Sequence, residues 1–329
     1  DLQPDLLWLK SRSGATTAHH LVDTTRGEGT GSDDTPNVDT HSNSAEYDRD
    51  ILSATGITSD GFSLDGYSDT NANTATHVGW QWKANGGSTT TNDASATGVG
   101  SVDSVYQANT TSGFSIVTYT GTGSGDITLA HGLGKVPNLI IGKVRNQNYD
   151  WRVYHSSEGA SKALQLNSTV GAGANNAWGG TTPTSTVFTA GRGSDENMNY
   201  GSGDTIVAYC WAEVQGYSKF GSYTGNGDAD GPFVYTGFKI AYIMIKRTDG
   251  SDSWVIYDNA RSPYNMTQAN LLADSTGVEY DNSSVGRDFV SNGMKVRSTG
   301  QNASGGTYIY MAFAEQPFVT SGGVPCTAR

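Results

Sequence analysis

Charge is in short supply: only 16% of the 329 residues are Asp, Glu, Lys or Arg, and 32 acidic residues outnumber 20 basic ones, for a formal net charge of −12. With no Lys/Arg stripe to neutralise phosphates, no nucleic-acid partner is expected; an acidic surface favours solubility instead. No run of about 18 apolar residues occurs, so no membrane insertion is expected. Cysteine is limited to Cys210, inside an apolar run, and Cys326, near the C-terminus. Two cysteines make no disulfide framework, and two free thiols are expected ahead of the alternative, a disulfide between them. The opening "DLQPDLLWLK" has neither an initiator Met nor a charged segment ahead of an apolar one. It does not read as a signal peptide, and the chain is expected to start after processing or within a longer product. Runs of Ala, Leu, Glu and Lys that would form helices are also scarce.

What remains is 43 Gly, 10% aromatics and abundant Ser, Thr and Asn, with short β-branched and aromatic segments between turn residues. That mixture predicts an all-β fold of many short strands and long loops, and the length allows two or three domains.

One phrase is written twice. Lys143, Trp151 and Tyr154 recur as Lys246, Trp254 and Tyr257 with the same spacing, 103 residues further on. Around it a larger unit appears three times. Each copy has a first strand ending in Lys ("PDLLWLK", residues 4–10; "PNLIIGK", 137–143; "IAYIMIK", 240–246). A second strand follows ("HHLVD", "DWRVYH", "SWVIYD"), and then a late strand ("THVGWQWKA", 76–84; "TIVAYCWAE", 205–213; "TYIYMAFAE", 307–315). The two-residue period of a strand puts Val78, Trp80 and Trp82 on one face, matching Val207, Tyr209 and Trp211, then Ile309, Met311 and Phe313. Trp8, Trp151 and Trp254 complete the expected repeat core. The reverse face is polar in copy one (His77, Gly79, Gln81, Lys83) but apolar in copy two (Ile206, Ala208, Cys210, Ala212) and copy three (Tyr308, Tyr310, Ala312, Ala314). Copies two and three should therefore cover both faces.

A head segment, "GFSIVTYTGTG" from residue 113 and "KFGSYTGNG" from 219, precedes copies two and three and is missing from copy one. Truncation, or donation of that strand by another chain or segment, would account for it. The organisation expected is tandem β-sandwich, jelly-roll-like repeats: repeat 1 over 1–84 without its head, a polar linker over 85–112 with one short strand near "SVYQA", repeat 2 over 113–218, repeat 3 over 219–318, and a tail over 319–329. Copy one is expected to hinge on the linker.

No G-x-S-x-G, G-x-x-x-x-G-K or H-E-x-x-H is present, and no pair of carboxylates can be singled out for glycosidic chemistry. No catalytic, cofactor-binding or metal residue is expected. The six histidines, His19, His20, His41, His77, His131 and His155, read as surface strand residues. "GDADG" at 227–231 reads as a hairpin turn before it reads as a cation loop lacking its remaining ligands. Asp23 with Arg26, and Asp258 with Arg261, read as turn-stabilising ion pairs. Five N-x-S/T matches follow from composition alone. Six aromatics in polar loops, Tyr106, Tyr149, Trp178, Tyr200, Tyr264 and Tyr280, are candidates for stacking on sugars, for contact with a neighbouring subunit, or for simple loop packing.

The phrases "QPDLLWLKSR", "GWQWKANGG", "TSGFSIVTYTGTG", "GLGKVPNLIIGK", "WVIYDNAR" and "GGTYIYMAFAEQPF" resemble the tandem β-repeats of virion structural, tail-fibre-like proteins of marine tailed bacteriophages, over residues 3 to 318. That resemblance implies a non-enzymatic virion protein, an extracellular particle component contacting the host surface, with other virion proteins as partners, a homo-oligomer (trimer favoured) and a host glycan as a further partner. A head-decoration or capsid-fibre protein is the alternative, and a polysaccharide-degrading tail enzyme a third. At seawater ionic strength the Debye length falls to about 4 Å, so packing and hydrogen bonds would outweigh long-range charge steering.

Overall fold

The computed structural model describes residues 2–14, 16–27, 35–193 and 198–316. Strand accounts for 44% of it and helix for 4%, so the fold is all-β. Three antiparallel main sheets carry it. In the first, the order is Tyr47–Arg49, Thr35–Asp39, His19–Asp23, Leu6–Ser11, His77–Trp82. In the second, Arg152–His155, Leu139–Val144, Ser202–Trp211, Phe114–Thr122, Ser104–Asn109 and Thr90–Asn92 lie side by side. The third runs Ser218–Thr224, Thr307–Ala314, Ile240–Arg247, Val255–Asp258, Ala269–Leu272, Tyr280–Asp281.

Register is the same in all three. Leu6 lies opposite Asp23 on one side and Trp82 on the other, Leu139 opposite His155 and Trp211, and Tyr242 opposite Asp258 and Phe313. A one-residue slip would exchange the inner and outer faces of a strand and turn large inward side chains such as Trp82, Trp211 and Phe313 out of the common core, which fixes this pairing.

Each main sheet is covered on its outer face by a smaller one, giving a two-layer sandwich. The hairpin Leu52–Thr58/Gly61–Leu64 flanks Leu7, Leu9 and Val22. Ile127–Ala130 with Val187–Ala190 flanks Val117, Ile206 and Cys210. The three-stranded sheet of Phe233–Tyr235, Gly293–Val296 and Arg287–Val290 flanks Ile243, Ile245 and Tyr310.

The inner faces form one common core. Trp8, Trp80, Trp82, Trp151, Tyr209, Trp211, Trp254, Met311 and Phe313 all belong to a single buried cluster. The three matched aromatics at the ends of the late strands converge: Trp82 is 6.0 Å from Trp211 and 5.8 Å from Phe313, both edge to face. The expectation of sandwiches strung in a row is thereby corrected. A sheet with one face under its own small sheet still has a second apolar face to remove from water, and three such faces cover one another. Continuous apolar strands such as "LIIG" and "YIMI" reveal that both faces are covered without revealing by what.

Residues 85–112 also differ from expectation. Beyond the strand near "SVYQA", observed as Ser104–Asn109, the segment supplies Thr90–Asn92 and a short helix Ala94–Thr97, and it extends the second sheet past its head strand. Polar composition marks here a strand with one wet face rather than a linker. The tail 319–329, the last residues of repeat 3 and Cys326 lie outside the described residues; Cys210 is buried and has no disulfide partner among the described residues.

Candidate functional site

The twice-written phrase locates the most elaborate polar chemistry, at the junctions between units. Lys143 Nζ donates to the carbonyl of Asn43 at 3.2 Å and Trp151 Nε1 to that of Asp39 at 2.9 Å, so both reach from the second unit into the first. In the same way Lys246 donates to Thr169 O at 2.6 Å and Trp254 Nε1 to Gln165 O at 2.8 Å, from the third unit into the second. Lys10 closes the ring, reaching Thr276 O of the third unit at 3.4 Å. The carbonyls that receive each lysine include its own unit's, Ser11 O for Lys10, Val144 O for Lys143 and Asp252 O for Lys246. Burial pulls Lys10 and Lys246 down to about 8.

The turn after each second strand faces the opposite neighbour. Asp23 accepts from the Thr25 and Arg26 amides and from Arg26 Nε, and its Oδ2 also takes the Tyr209 hydroxyl of the second unit at 2.7 Å. Asp258 accepts from Arg261 and from Trp80 Nε1 of the first unit at 3.1 Å. His155, in the same position of copy two, sets Nε2 3.1 Å from Tyr310 O of the third unit. The Asp/Arg pairs thus hold their own turns and the junctions as well. Glu46 bridges Arg26 and Arg145, and Glu279 bridges Arg261 and Arg12. Burial alone would raise both glutamates, but the two guanidiniums around each outweigh it and hold them below the usual carboxylate range.

The histidines correct the surface reading. His19, His20, His131 and His155 are buried, and His41 and His77 half-buried. Burial drives His19 well down and lowers His131 and His155 to about 4. His20 goes the other way: burial opposes its charge, but Asp39 at 3.1 Å and Asp69 at 3.5 Å raise it. Among the described residues no group of three or more His, Cys, Asp or Glu is arranged to hold a metal. In "GDADG", Asp230 is 2.8 Å from Lys295 Nζ, and its amide donates to Asp228.

The six loop aromatics do not form one platform. Trp178 is buried against Tyr154 and Phe188, 6.1 and 6.5 Å away, so it packs the outer layer of the second unit and cannot stack on a sugar. Tyr106 is half-buried; its ring lies on Gly132, where a Cβ would come within 2.3 Å of it and where φ is +70°. Tyr149 and Tyr200 meet edge to face at 5.7 Å. Tyr264 and Tyr280, 84% and 50% exposed, stand on the third unit. Two more exposed aromatics escaped the sequence reading: Phe233 and Tyr235, 48% and 62% exposed, flank buried Val234 on the strand of the small third-unit sheet. The alternation in "PFVYT" was the available signal, although by itself it does not reveal which face is covered.

Fold and junctions together define a class: an all-β protein whose three sandwich units interlock around one core. The chain belongs to a family described as a domain of unknown function, DUF7483, whose model matches residues 1–317. Comparison with curated proteins and with solved structures returned no match.

Proposed function

We propose that this protein is a non-enzymatic structural component of a phage virion, part of a tail fibre or another appendage that meets the host surface. The observation that carries the reading is the closed ring of junction contacts. The side chains the chain repeats, Lys10/Lys143/Lys246, Trp151/Trp254 and Asp23/Asp258, are buried and spent on binding unit to unit, which is the economy of a scaffold. The resemblance of the repeats to tail-fibre-like proteins supports the virion setting. Exposed aromatics are the surface suited to a host glycan, with Phe233 and Tyr235 the best placed, since sugars stack on aromatic faces beside polar groups.

Localisation by cryo-EM on intact particles tests this directly. Density at the tail or its appendages is the expected result; density on the capsid lattice would replace it with a head-decoration role, and release of sugar from host envelope by the purified chain would make it a depolymerase. Homotrimerisation is proposed from fibre behaviour alone, because the apolar reverse faces of copies two and three are covered within the chain by their own small sheets. Light scattering in high salt is expected to return a mass above the monomer's 34.7 kDa.

A further inference from the structure

In the small sheet of the third unit, alternation sends Val234, Met294 and Phe289 into that unit's core and turns Phe233 and Tyr235 to solvent. Register sets Lys295 beside Phe233 with Asp288 beyond it, and Gly293 beside Tyr235 with Val290 beyond. The Tyr235 ring reaches over Gly237, where a Cβ would already touch it, 3.4 Å from the hydroxyl oxygen. The ring therefore lies along the chain with its other side open, and no side chain at Gly293 stands next to it. The second unit shows that the fold does not demand this arrangement. Its strand between head strand and first strand, Ile127–Ala130, buries Ile127 and Leu129 and turns Thr128 the other way, where the Ser101 amide donates to Thr128 O at 2.8 Å and Ser101 Oγ accepts from the Thr128 amide at 2.9 Å. Leaving two large aromatics in water on the corresponding strand of the third unit gains the fold nothing, and an apolar patch rimmed by polar groups marks a binding surface.

The rim of the patch is charged but balanced. Asp230 Oδ1 is 2.8 Å from Lys295 Nζ and 3.9 Å from Arg297 Nη1, and Arg297 Nε is 2.6 Å from Asp288 Oδ2. Lys295 holds the Asp230 carboxyl below its usual range, so it is ionised at neutral pH. The Asp230 side chain is 78% exposed, and its Oδ2 has no partner among the described residues. Two carboxylates against two cations leave donors and acceptors at the rim with no net charge, on a chain whose total is −12. A polyanion finds no spare cation here. A neutral ring that is apolar on its face and carries hydroxyls around its edge finds both a stacking surface and an acceptor, and a pyranose is such a ring.

We propose that this face binds a neutral polysaccharide, with pyranose rings stacked on Phe233 and Tyr235 and a sugar hydroxyl donating to Asp230 Oδ2. The proposal rests on the reading of the protein as one that meets the host surface, and it adds the class of glycan, the two stacking rings and the acceptor. The two aromatics are two residues apart on one strand, about 7 Å, so a single oligosaccharide covers both. Stacking supplies contact area, and the carboxylate selects among hydroxyl patterns.

The test uses the full purified chain on an array of polysaccharides: dextran, mannan and galactan as neutral probes, alginate and polygalacturonate as acidic ones. Retention on at least one neutral probe and on neither acidic one is expected, unchanged between about 0.1 and 0.5 M NaCl because the rim carries no net charge to screen. Phe233→Ala and Tyr235→Ala should each lower affinity at least about tenfold, and Asp230→Ala about tenfold. The urea midpoint should stay that of the parent chain in all three, because these side chains are exposed. Tyr235→Leu keeps apolar area without the ring and should bind as poorly as Tyr235→Ala, whereas Tyr235→Phe should bind like the parent. No retention on any neutral probe, preference for an acidic one, or full binding by Tyr235→Leu would overturn the proposal. So would loss of self-association in Phe233→Ala or Tyr235→Ala, which would make this face a subunit interface. Retention is read on the free chain, so its absence together with density at the tail would remove the glycan face and leave the structural role standing.

Discussion

At the scale of single residues, the axis aromatics and the buried histidines bear the largest consequences. Trp82 touches Trp211, Phe313 and Tyr242, one aromatic from the second unit and two from the third. Trp82→Ala should therefore cost about 3–5 kcal/mol and loosen all three units together, read as a lowered urea midpoint reported identically by fluorescence and far-UV dichroism. The histidines set the acid limb of stability. His131 and His155 have folded values near 4 against about 6.5 unfolded. Between those values the unfolded chain binds more protons, so stability must fall as pH drops from about 6.5 towards 4. His19 shifts in the same direction; His20, raised by Asp39 and Asp69, opposes them. Urea midpoints at pH 7, 6 and 5 should decline in order, and His155→Gln should flatten the decline. Constancy across that range would contradict the buried, neutral state of these rings.

At the scale of elements, the strands of the repeat were legible because their alternation leaves one register that buries the large side chains, as Leu6, Leu139 and Tyr242 show by their matching partners. The segment 85–112 was not, because a strand with one wet face next to a glycine-rich turn has the composition of a linker. Its pairing is a sharp target: Val105 lies opposite Thr118 and Thr91, and Gln107 Nε2 donates to Thr24 and Thr25 of the first unit. Limited proteolysis with subtilisin should leave 104–109 intact under native conditions; early cleavage there would restore the linker reading. Loop aromatics show the same difficulty at a candidate site. Trp178 and Tyr264 sit in equally polar stretches of sequence, yet one is buried and the other 84% exposed, because exposure depends on whether a distant strand pair, here Ile127–Ala130 with Val187–Ala190, lies over the loop.

At the scale of the whole molecule, the common core and the closed ring of junctions make the units interdependent. Calorimetry of residues 1–329 should show one cooperative transition, and the segment 113–218 expressed alone should bind a hydrophobic dye, since its inner face, including Ile141, Tyr209 and Trp211, would meet water. Separate transitions would mean that each unit is sufficient by itself. The chain's residues by themselves determined the all-β class, the threefold repetition, the strand register and the identity of the inward aromatics, because two-residue alternation and turn chemistry act over short distances along the chain. Only the tertiary structure decided that the three inner faces meet one another and that the repeated Lys and Trp bind a neighbouring unit. Those outcomes depend on what covers an apolar face, and the covering group lies tens to hundreds of residues away in sequence.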